Sequence, residues 1–575
     1  MNDQVMDKSE YNGDVEKSQH NVNNYEVQDG TMASMGLQGA PLQRQLKSRH
    51  IQMISIGGVI GTGLFLGTAN ARVYFLARAA PKQAIDVFQI WIVSDATYST
   101  DAVMGSITYA VMVSLGEMVA HLPIPGGHIS LAARFVDPAF GFTMGWNYWY
   151  NWTIVLPAEL NAAAVLIGYW NSKINPSVWI AVCLVVAVAI NFGGTRAYGE
   201  MEFWFAIIKV LTITGLIILG IIIDATPRFS PAVDGVHTAL GFRYWRNPGP
   251  FVQYLGIQGT TGRFLGFWAV LIQAAFSYIG TEIVAIAAGE AKNPKKNLPK
   301  AIKRVYIRIL LFYILGTFII GLLVASNDTR LKLGSHTATS SPFVIAINNA
   351  GIKALPGLIN ACLLTSAWSA ASSDLYTSSR ALYGLAVNGQ APKVFARVNS
   401  WGLPYFAVMV GVAFSLLSFM SAGKGTPGEV FGWFANMTSV CGLITWACIC
   451  YTFIRFYNGA KHQGIDRASF AYRGPLQPFL AYYGLIFCCV VLFFNGWEVF
   501  VKIVPGQFDH ATFWTSYIPI IIFPMIYIGN KLYSKGAWVS LDEMDFYSGS
   551  RDTESEDEPE KPPKNFIMKV WALIM

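Results

Sequence analysis

Long apolar runs separated by short polar links dominate the chain. Their length of about 17 to 25 residues is what an α-helix needs to cross the hydrocarbon core of a bilayer. We place the runs near residues 50–70, 102–121, 141–169, 177–193, 203–223, 266–287, 305–325, 354–386, 403–421, 430–456, 479–500 and 513–533. The pattern predicts an all-α polytopic membrane protein with about 12 transmembrane helices.

Composition agrees with this class. Of the 575 residues, 53% are hydrophobic and only 13% are charged, and the mean hydropathy is +0.40. A soluble domain carries about 25% charged residues. The net charge of +7 does not indicate a nucleic-acid partner, because the basic residues gather in particular links. Metal-ligand, phosphate-loop and nucleophile–base spacings do not occur, so we expect no enzyme activity, cofactor or metal site.

The basic residues also predict the orientation. The link between the sixth and seventh runs carries seven of them, whereas the links after runs 7, 9 and 11 are nearly free of positive charge. Positive links stay in the cytosol, so we expect both termini there. Residues 1–44 are polar and predict a disordered cytosolic tail, and residues 536–575 predict a second cytosolic tail.

The triplet Ile-Gly-Thr recurs at the centre of two apolar runs. It occurs as Ile60-Gly61-Thr62, followed by Gly63, and as Ile279-Gly280-Thr281, followed by Glu282. A helix broken at such a point exposes backbone groups that something polar must satisfy inside a membrane, as a ligand with a carboxylate and an ammonium group can do. Two breaks five runs apart favour an inverted-repeat carrier; close helix packing through glycine is the alternative.

Three ionisable residues lie inside apolar runs, where charge is costly and usually functional. Glu159 follows Pro157 in the third run, Lys209 lies in the fifth, and Glu282 ends the second break. The alternative for Lys209 is that its side chain reaches the cytosolic interface, on the assumption that Glu200 and Glu202 mark that end. For Glu159 and Glu282 the alternative to a functional role is a structural hydrogen bond to a neighbouring helix.

A hydroxyl-rich face occurs in the eighth run at three- and four-residue spacing. Helix packing is the favoured interpretation of this face, with substrate or ion binding as the alternative. Its residues are Thr365, Ser366, Ser369, Ser372, Ser373 and Thr377. Asp374 is assigned toward the cytosolic path, and Asn436 of the tenth run is a weaker candidate for shaping a pocket.

Several motifs, in this order along about residues 42–535, resemble a known family. They are Gly57-Gly58-Val59-Ile60-Gly61-Thr62-Gly63, Ser114-Leu115-Gly116-Glu117, Gly145-Trp146-Asn147-Tyr148-Trp149, Gly280-Thr281-Glu282 and Ala288-Gly289-Glu290-Ala291-Lys292-Asn293-Pro294. The chain resembles a fungal amino-acid permease of the amino acid–polyamine–organocation superfamily. The resemblance implies a five-plus-five inverted repeat with discontinuous helices 1 and 6 within residues 45–456. Helices 11 and 12 then occupy residues 457–535, outside the repeat.

The resemblance also implies a function and the residues that serve it. The function is proton-coupled uptake of amino acids at the plasma membrane. The first break, Ile60 to Gly63, resembles the family's cradle for the substrate carboxylate. The second, Ser277 to Glu282, resembles the side that takes the ammonium group, with Phe276 and Tyr278 covering the ligand. Lys209 resembles a lysine that stands in for a sodium ion in proton-coupled relatives, and Glu159 is its expected companion in coupling.

Residues 72–101 depart from the family pattern. They carry Arg72, Arg78, Lys82, Asp86, Asp95 and Asp101, where the family has an apolar second helix. Each charge costs roughly 2.5 to 3.5 kcal/mol at the centre of a spanning helix, so this atypical segment is expected to lie outside the span. Two interpretations are open: an external loop insertion, and a translated intron or mis-joined gene model, of which the second is favoured.

Two rivals to transport follow: a non-transporting amino-acid sensor of the same fold, and a product inactivated by this segment. For a transporter we expect neutral or a broad range of L-amino acids, since the sequence shows no further acidic cluster for a cationic side chain.

Overall fold

The described part of the computed structural model is helical. The structure describes residues 61–67, 96–124, 126–171, 173–229, 238–247, 249, 257–283, 309–325, 328, 341–399, 402–422, 426–501 and 508–548. Within these ranges no β-strand occurs, which confirms the all-helical class.

The main helices, in chain order, are α1 Ala96–His121, α2 Gly127–Phe135, α3 Pro138–Ile167, α4 Pro176–Phe192, α5 Gly194–Ala225, α6 Gly259–Tyr278, α7 Leu315–Leu323, α8 Pro342–Asn349, α9 Leu355–Val387, α10 Tyr405–Ser415, α11 Pro427–His462, α12 Phe479–Phe493 and α13 His510–Ser534. A wide helical turn, Gly63–Gly67, precedes α1, and another, Ile309–Ile314, leads into α7.

Six helical stretches of the described part are long and apolar enough to cross a membrane. They are Thr100–His121, Ala197–Ala225, Tyr405–Ala422, Pro427–His462, Phe479–Phe500 and His510–Ser534. This confirms a multi-pass helical membrane protein. The total of about 12 spans and the inverted repeat remain predictions.

Helix α3 lies at the centre of the described helices. Pro138 takes its first position, and the Asp137 carboxylate accepts the Ala139 N–H at 2.9 Å, which fixes where the helix begins. Most of its 30 residues are buried and none is exposed, and it packs along α9 and α11. A helix that is apolar all round belongs in a core. Glu159 on this helix is therefore held inside the bundle, 4% exposed.

Helices α12 and α13 present apolar side chains outward. The exposed residues of α12 include Phe479, Tyr482, Ile486, Val490 and Phe493, which recur at helical spacing. Such a stripe suits contact with lipid, and it indicates that these two helices lie at the periphery of the bundle.

Helix α1 begins at Ala96, earlier than the sequence interpretation of 102. It has 26 residues, more than the roughly 20 that a spanning helix needs. Asp101 is 3% exposed, and its carbonyl oxygen accepts the Tyr278 hydroxyl at 2.9 Å. The last residues of the atypical segment thus belong to the helix, whereas residues 72–95 lie outside the described residues.

The described part of the C-terminal tail is docked against the helix ends. Phe546 is 1% exposed, and its ring lies 5.1 Å from that of Phe135 and 5.2 Å from that of Phe456. The Gln463 amide donates to the carbonyl oxygens of Leu541 and Met544, both at 2.8 Å. Residues 536–548 therefore form a strap across α2 and α11.

The acidic residue of this strap has a perturbed pKa. Partial burial opposes ionisation of Asp545, but the N–H groups of Ser548 and Tyr547 and the Arg134 guanidinium outweigh it, so the pKa of Asp545 lies below its usual value. Arg134 lies 3.7 Å from this carboxylate. The strap is therefore held by charge as well as by apolar contact.

Candidate functional site

The first predicted break coincides with a bend in the chain. Gly61 forms the bend, a helical turn begins at Thr62, and the wide turn Gly63–Gly67 follows. The Thr62 hydroxyl, 1% exposed, donates to Oε1 of Glu159 at 2.7 Å. The bend is thereby tied to α3 through a buried carboxylate. Ile60, the first residue predicted for this site, lies outside the described residues.

The second predicted break lies where α6 ends. The helix stops at Tyr278, Ile279 is extended, and Gly280 has φ +100°. Only glycine adopts such a φ without strain, which explains why this triplet has glycine at its centre. The chain then turns through Thr281 to Glu282. Of the residues predicted for this site, Phe276 to Tyr278 end α6, and the following residues to Glu282 form a compact turn.

Glu282 braces that turn. Its Oε2 atom accepts the N–H of Gly280 and the indole N–H of Trp446, each at 3.2 Å. Trp446 belongs to α11 and is fully buried. This matches the structural alternative for Glu282: its carboxylate holds the turn against a neighbouring helix. Glu282 remains a candidate site residue because its carboxylate positions the turn that contains Gly280 and Thr281.

The two breaks lie against each other. A Cβ atom added to Gly63 would be 2.9 Å from the Cα of Ser277 and 3.1 Å from Cδ1 of Phe276. Neither distance leaves room for a side chain, so glycine is required for this approach. At Gly61 an added Cβ would meet no described heavy atom within 4 Å. The open space is therefore at Gly61, and the close contact is at Gly63.

The two aromatic residues before the second break have different surroundings. Phe276 packs edge-on against Phe431 of α11, with ring centroids 5.7 Å apart. Tyr278 stacks on Tyr313 at 4.7 Å and donates its hydroxyl to the Asp101 carbonyl. Phe276 thus lies beside the contact between the breaks, whereas the hydroxyl of Tyr278 joins α6 to α1.

A buried cluster of ionisable residues lies next to the first break. Lys209 and Glu202, two turns apart on α5, are each 1% exposed, with Nζ 3.8 Å from Oε1. The Ser369 hydroxyl donates to the other oxygen of Glu202 at 2.5 Å. The Lys209 ammonium also interacts electrostatically with Glu159 and Asp374. The cluster joins α3, α5 and α9, and through Thr62 it reaches the first break.

This cluster changes two sequence interpretations and shows the surroundings of a third residue, Asp374. Glu202 does not mark an exposed end of its helix, because it is buried and paired with Lys209. Lys209 does not extend to an interface. Asp374, assigned to the cytosolic path, is 4% exposed within the cluster. The seven-residue spacing of Glu202 and Lys209 places them on one helix face, a signal from which the pair was predictable.

The hydroxyl-rich face of α9 packs mainly against α4 and α5. Asn191 donates to the carbonyl and hydroxyl oxygens of Ser372 at 3.0 and 3.2 Å, and the Tyr198 hydroxyl donates to Ser373 at 3.1 Å. These contacts agree with the packing interpretation for that part of the face. Asn436 faces α13, where its amide donates to the Ser516 hydroxyl at 3.0 Å.

The groups at the facing breaks have the hydrogen-bonding chemistry that suits a small zwitterion. The bend at Gly61 leaves space beside backbone groups, and Thr281 carries a buried hydroxyl with no hydrogen-bond partner in the described part of the chain. Buried polar atoms of this kind normally have a partner. The geometry therefore describes a helical membrane protein in which the bend at Gly61 lies against the end of α6 beside buried polar groups.

The comparisons identify the family. Residues 50–540 match the amino acid permease family, and the chain belongs to it. This confirms the resemblance that the sequence motifs carry.

The relatives are fungal permeases with different substrates in their names. A proline-specific permease of Emericella nidulans is 40% identical over 92% of this chain and 92% of its own length. A dicarboxylic amino acid permease of Saccharomyces cerevisiae is 40% identical over 90% of this chain and 81% of its own length. A lysine-specific permease of the same yeast is 40% identical over 93% of this chain and 83% of its own length. These relatives are transporters, which confirms that the chain is not an enzyme.

Proposed function

We propose that this chain is a proton-coupled permease of the plasma membrane that takes up neutral or a broad range of L-amino acids by alternating access. The observation that carries the proposal is the close approach of the two breaks, in which Gly63 lies against Ser277 and Phe276. Interrupted helices meeting near the middle of a bundle are where carriers of this kind bind their substrates.

Each break supplies a different half of an amino-acid site. The helical turn after Gly61 presents its N-terminal N–H groups, which suit the carboxylate. The carbonyl groups at the end of α6, next to Ser277 and Tyr278, suit the ammonium group. Phe276 lies beside both and is placed to cover the ligand.

The buried cluster supports proton coupling. Glu159 receives the Thr62 hydroxyl and interacts electrostatically with Lys209. Protonation or deprotonation of Glu159 or Lys209 therefore changes the electrostatic surroundings of Thr62 directly, and Thr62 belongs to the first break. Ionisable groups buried in membrane spans are used in proton relays for this reason.

Two observations support neutral or broad specificity. The Glu282 carboxylate is hydrogen-bonded to Gly280 and Trp446, and the charge of Glu159 faces the Lys209 ammonium, so both carboxylates already have partners within the chain. The proline, dicarboxylic and lysine permeases are equally identical to this chain, so overall identity does not favour one of their substrates.

The orientation proposed is cytosolic at both termini. Lys461 lies in the last turn of α11, Arg467 and Arg473 follow that helix, and Lys531 lies in the last turn of α13. Basic residues concentrated at one end of a bundle favour that end for the cytosol.

Uptake of radiolabelled amino acids in a permease-deficient fungal cell tests the proposal. A panel of proline, leucine, lysine and glutamate should show uptake of the neutral members, with or without the charged ones. Uptake of lysine or glutamate alone would overturn the specificity. No uptake of any member by protein that reaches the cell surface would favour the sensor or the inactive product.

A further inference from the structure

The buried cluster beside the first break contains more acidic than basic groups. Glu159, Glu202 and Asp374 bring three carboxyl groups to it, and Lys209 brings one ammonium group. Each of these four residues is at most 4% exposed. If all of them were ionised, two negative charges would be left uncompensated away from water. Buried charges of this kind are strongly unfavourable, so the cluster requires further positive charge.

Two of the three carboxyl groups receive a hydroxyl donor. The ammonium nitrogen of Lys209 lies 3.8 Å from Oε1 of Glu202, and the other oxygen of Glu202 accepts the Ser369 hydroxyl at 2.5 Å. Oε1 of Glu159 accepts the Thr62 hydroxyl at 2.7 Å. These donors favour the ionised form of both glutamates.

The carboxyl group of Asp374 has a different environment. Its Oδ2 is buried and has no hydrogen-bond partner in the described part of the chain. Oε2 of Glu159, a residue with which Asp374 interacts electrostatically, is in the same state. Buried acceptors normally have a donor, and a carboxyl group that takes up a proton becomes a donor itself. Asp374 is therefore the carboxyl group of the cluster that is least favourable to ionise.

A hydroxyl on the same side of α9 also lacks a partner. Ser366 lies three residues before Ser369, the residue that contacts Glu202, so the two serines lie on one side of the helix. Ser366 is 1% exposed, and its hydroxyl has no hydrogen-bond partner among the described residues. A hydroxyl can accept the O–H of a protonated carboxyl group. The cluster thus has unused hydrogen-bonding capacity as well as unbalanced charge.

The charged groups that face Asp374 come from two helices. They are Glu159 of α3 and Glu202 and Lys209 of α5. Helices α4, α8 and α10, which also pack against α9, contain no Asp, Glu, Lys, Arg or His. Lys209 is therefore the one cation that these neighbouring helices direct at Asp374 within the described part of the chain.

Other titratable groups near Asp374 are already engaged. On α9 itself, the Arg380 guanidinium lies over the ring of Tyr376, 3.2 Å from its centroid. On α5, the Tyr198 hydroxyl donates to Ser373 at 3.1 Å. Across the described residues, no three Asp, Glu, Cys or His side chains are grouped so that they could hold a metal ion. A proton is the cation that fits this environment.

We infer that Asp374 binds a proton and is a second proton-binding residue of the cluster beside Glu159. The inference rests on the proton coupling proposed above and adds a residue to it. The O–H bond of the Asp374 carboxyl group is the bond that forms and breaks, and water supplies and removes the proton. While water is excluded, the proton removes the least compensated charge; when water reaches the cluster, the carboxyl group can release it.

Infrared spectroscopy of the purified full-length protein tests the inference. The carbonyl stretch of a protonated carboxylic acid is distinct from the bands of a carboxylate, and the difference between wild type and Asp374→Asn isolates one residue. We expect the variant to lose a protonated-carboxyl band at neutral pH. Glu543→Gln, at an exposed carboxylate on the C-terminal strap, is the control and should lose no such band. A protonated-carboxyl signal that is unchanged in Asp374→Asn would overturn the inference.

The variant is chosen so that folding is retained. Asparagine has the size of aspartate and the neutral state of a protonated carboxyl group, so Asp374→Asn should fold. If it does not, Asp374→Ser, which is neutral and smaller, should lose the same band. Loss of a carboxylate band in either variant, in place of the protonated one, would show that Asp374 is charged and would contradict the inference.

Uptake separates this inference from the transport proposal. With two proton-binding residues, wild-type uptake should rise more steeply than in proportion to the external proton concentration. Asp374→Asn retains Glu159, so its uptake should rise in simple proportion. Equal steepness in the two chains would exclude Asp374 from coupling. If wild-type uptake does not respond to protons, the transport proposal fails, whereas the infrared band still decides whether Asp374 holds a proton.

Discussion

Gly61 and Gly63 are two residues apart, yet their surroundings differ. At Gly63 an added Cβ meets the backbone of Ser277 at 2.9 Å, whereas at Gly61 it meets no described atom within 4 Å. The two glycines therefore serve different purposes. Gly63 allows the two breaks to touch, and Gly61 leaves space that a ligand is proposed to fill.

We predict that Gly61→Ala folds normally but transports poorly. Its φ is not in the left-handed region and the added methyl group finds free space, so stability should change little. A bound carboxylate would meet that methyl group, and the KM for uptake should rise about tenfold, equivalent to about 1.4 kcal/mol. Uptake kinetics, corrected for surface expression, measure the effect.

Gly63→Ala is the matched comparison. Here the methyl group meets the Ser277 backbone, so a lower thermal midpoint is expected together with lost uptake. The bulkier Gly63→Val should abolish uptake. Normal KM in Gly61→Ala would remove Gly61 from the binding site.

At the residue scale, the sequence predicts where the two breaks lie, but it does not predict which distant side chains contact them. Ile-Gly-Thr at the centre of two apolar runs marked both positions, since a positive φ at Gly280 and a close approach at Gly63 each require glycine. The pairing of Thr62 with Glu159 joins residues that are 97 positions apart, and no local pattern reports such a contact. Tertiary packing alone brings these groups together.

Elements were predictable where one local signal decided them. Apolar runs predict the long helices, but they do not predict α2 and α8, which have only 9 and 8 residues, because so short a run does not distinguish a helix from a loop. The start of α1 was placed too late because the charge of Asp101 was taken to end the helix. Its carboxylate lies at the buried beginning of the span.

The extent of α1 makes a prediction about the atypical segment. Replacing residues 72–95 with a Gly/Ser linker of equal length leaves α1 whole, so uptake should be retained if the segment is an insertion. Extending the replacement through 101 removes the helix start and the Asp101 carbonyl that accepts Tyr278, and uptake should fall sharply. Equal uptake by the two chains would show that residues 96–101 are dispensable.

The strap 536–548 makes a prediction about stability. Phe546→Ala removes a side chain packed against Phe135 and Phe456, and a buried Phe lost in this way costs about 3–5 kcal/mol. The thermal midpoint of the purified protein should fall. Tyr547→Ala, at a neighbouring residue that is 70% exposed, is the control and should leave it nearly unchanged. Similar midpoints for both variants would mean that the strap adds no stability.

At the scale of the whole molecule, three helices and the first break share one buried network of charge. Lys209 pairs with Glu202 on α5 and interacts with Asp374 on α9 and with Glu159 on α3, and Glu159 receives the Thr62 hydroxyl. Composition predicted the membrane class, but it does not report which ionisable residues meet. That depends on how the helices pack, and for this reason the contact of Asp374 with Lys209 is not predictable from the sequence.

The network leads to the prediction that uptake is driven by protons. Uptake should rise as the external pH falls and should collapse when a protonophore dissipates the gradient. Lys209→Ala should weaken the pH dependence, because it removes the charge that faces Glu159. Since this variant leaves Glu202 buried and unpaired, which is strongly destabilising, the double variant with Glu202→Gln keeps the test usable. Lys461→Ala, at an exposed lysine of α11, should keep the normal pH profile. If uptake persists without the proton gradient, the chain is a facilitator or an exchanger, and the buried charges serve to hold α3, α5 and α9 together.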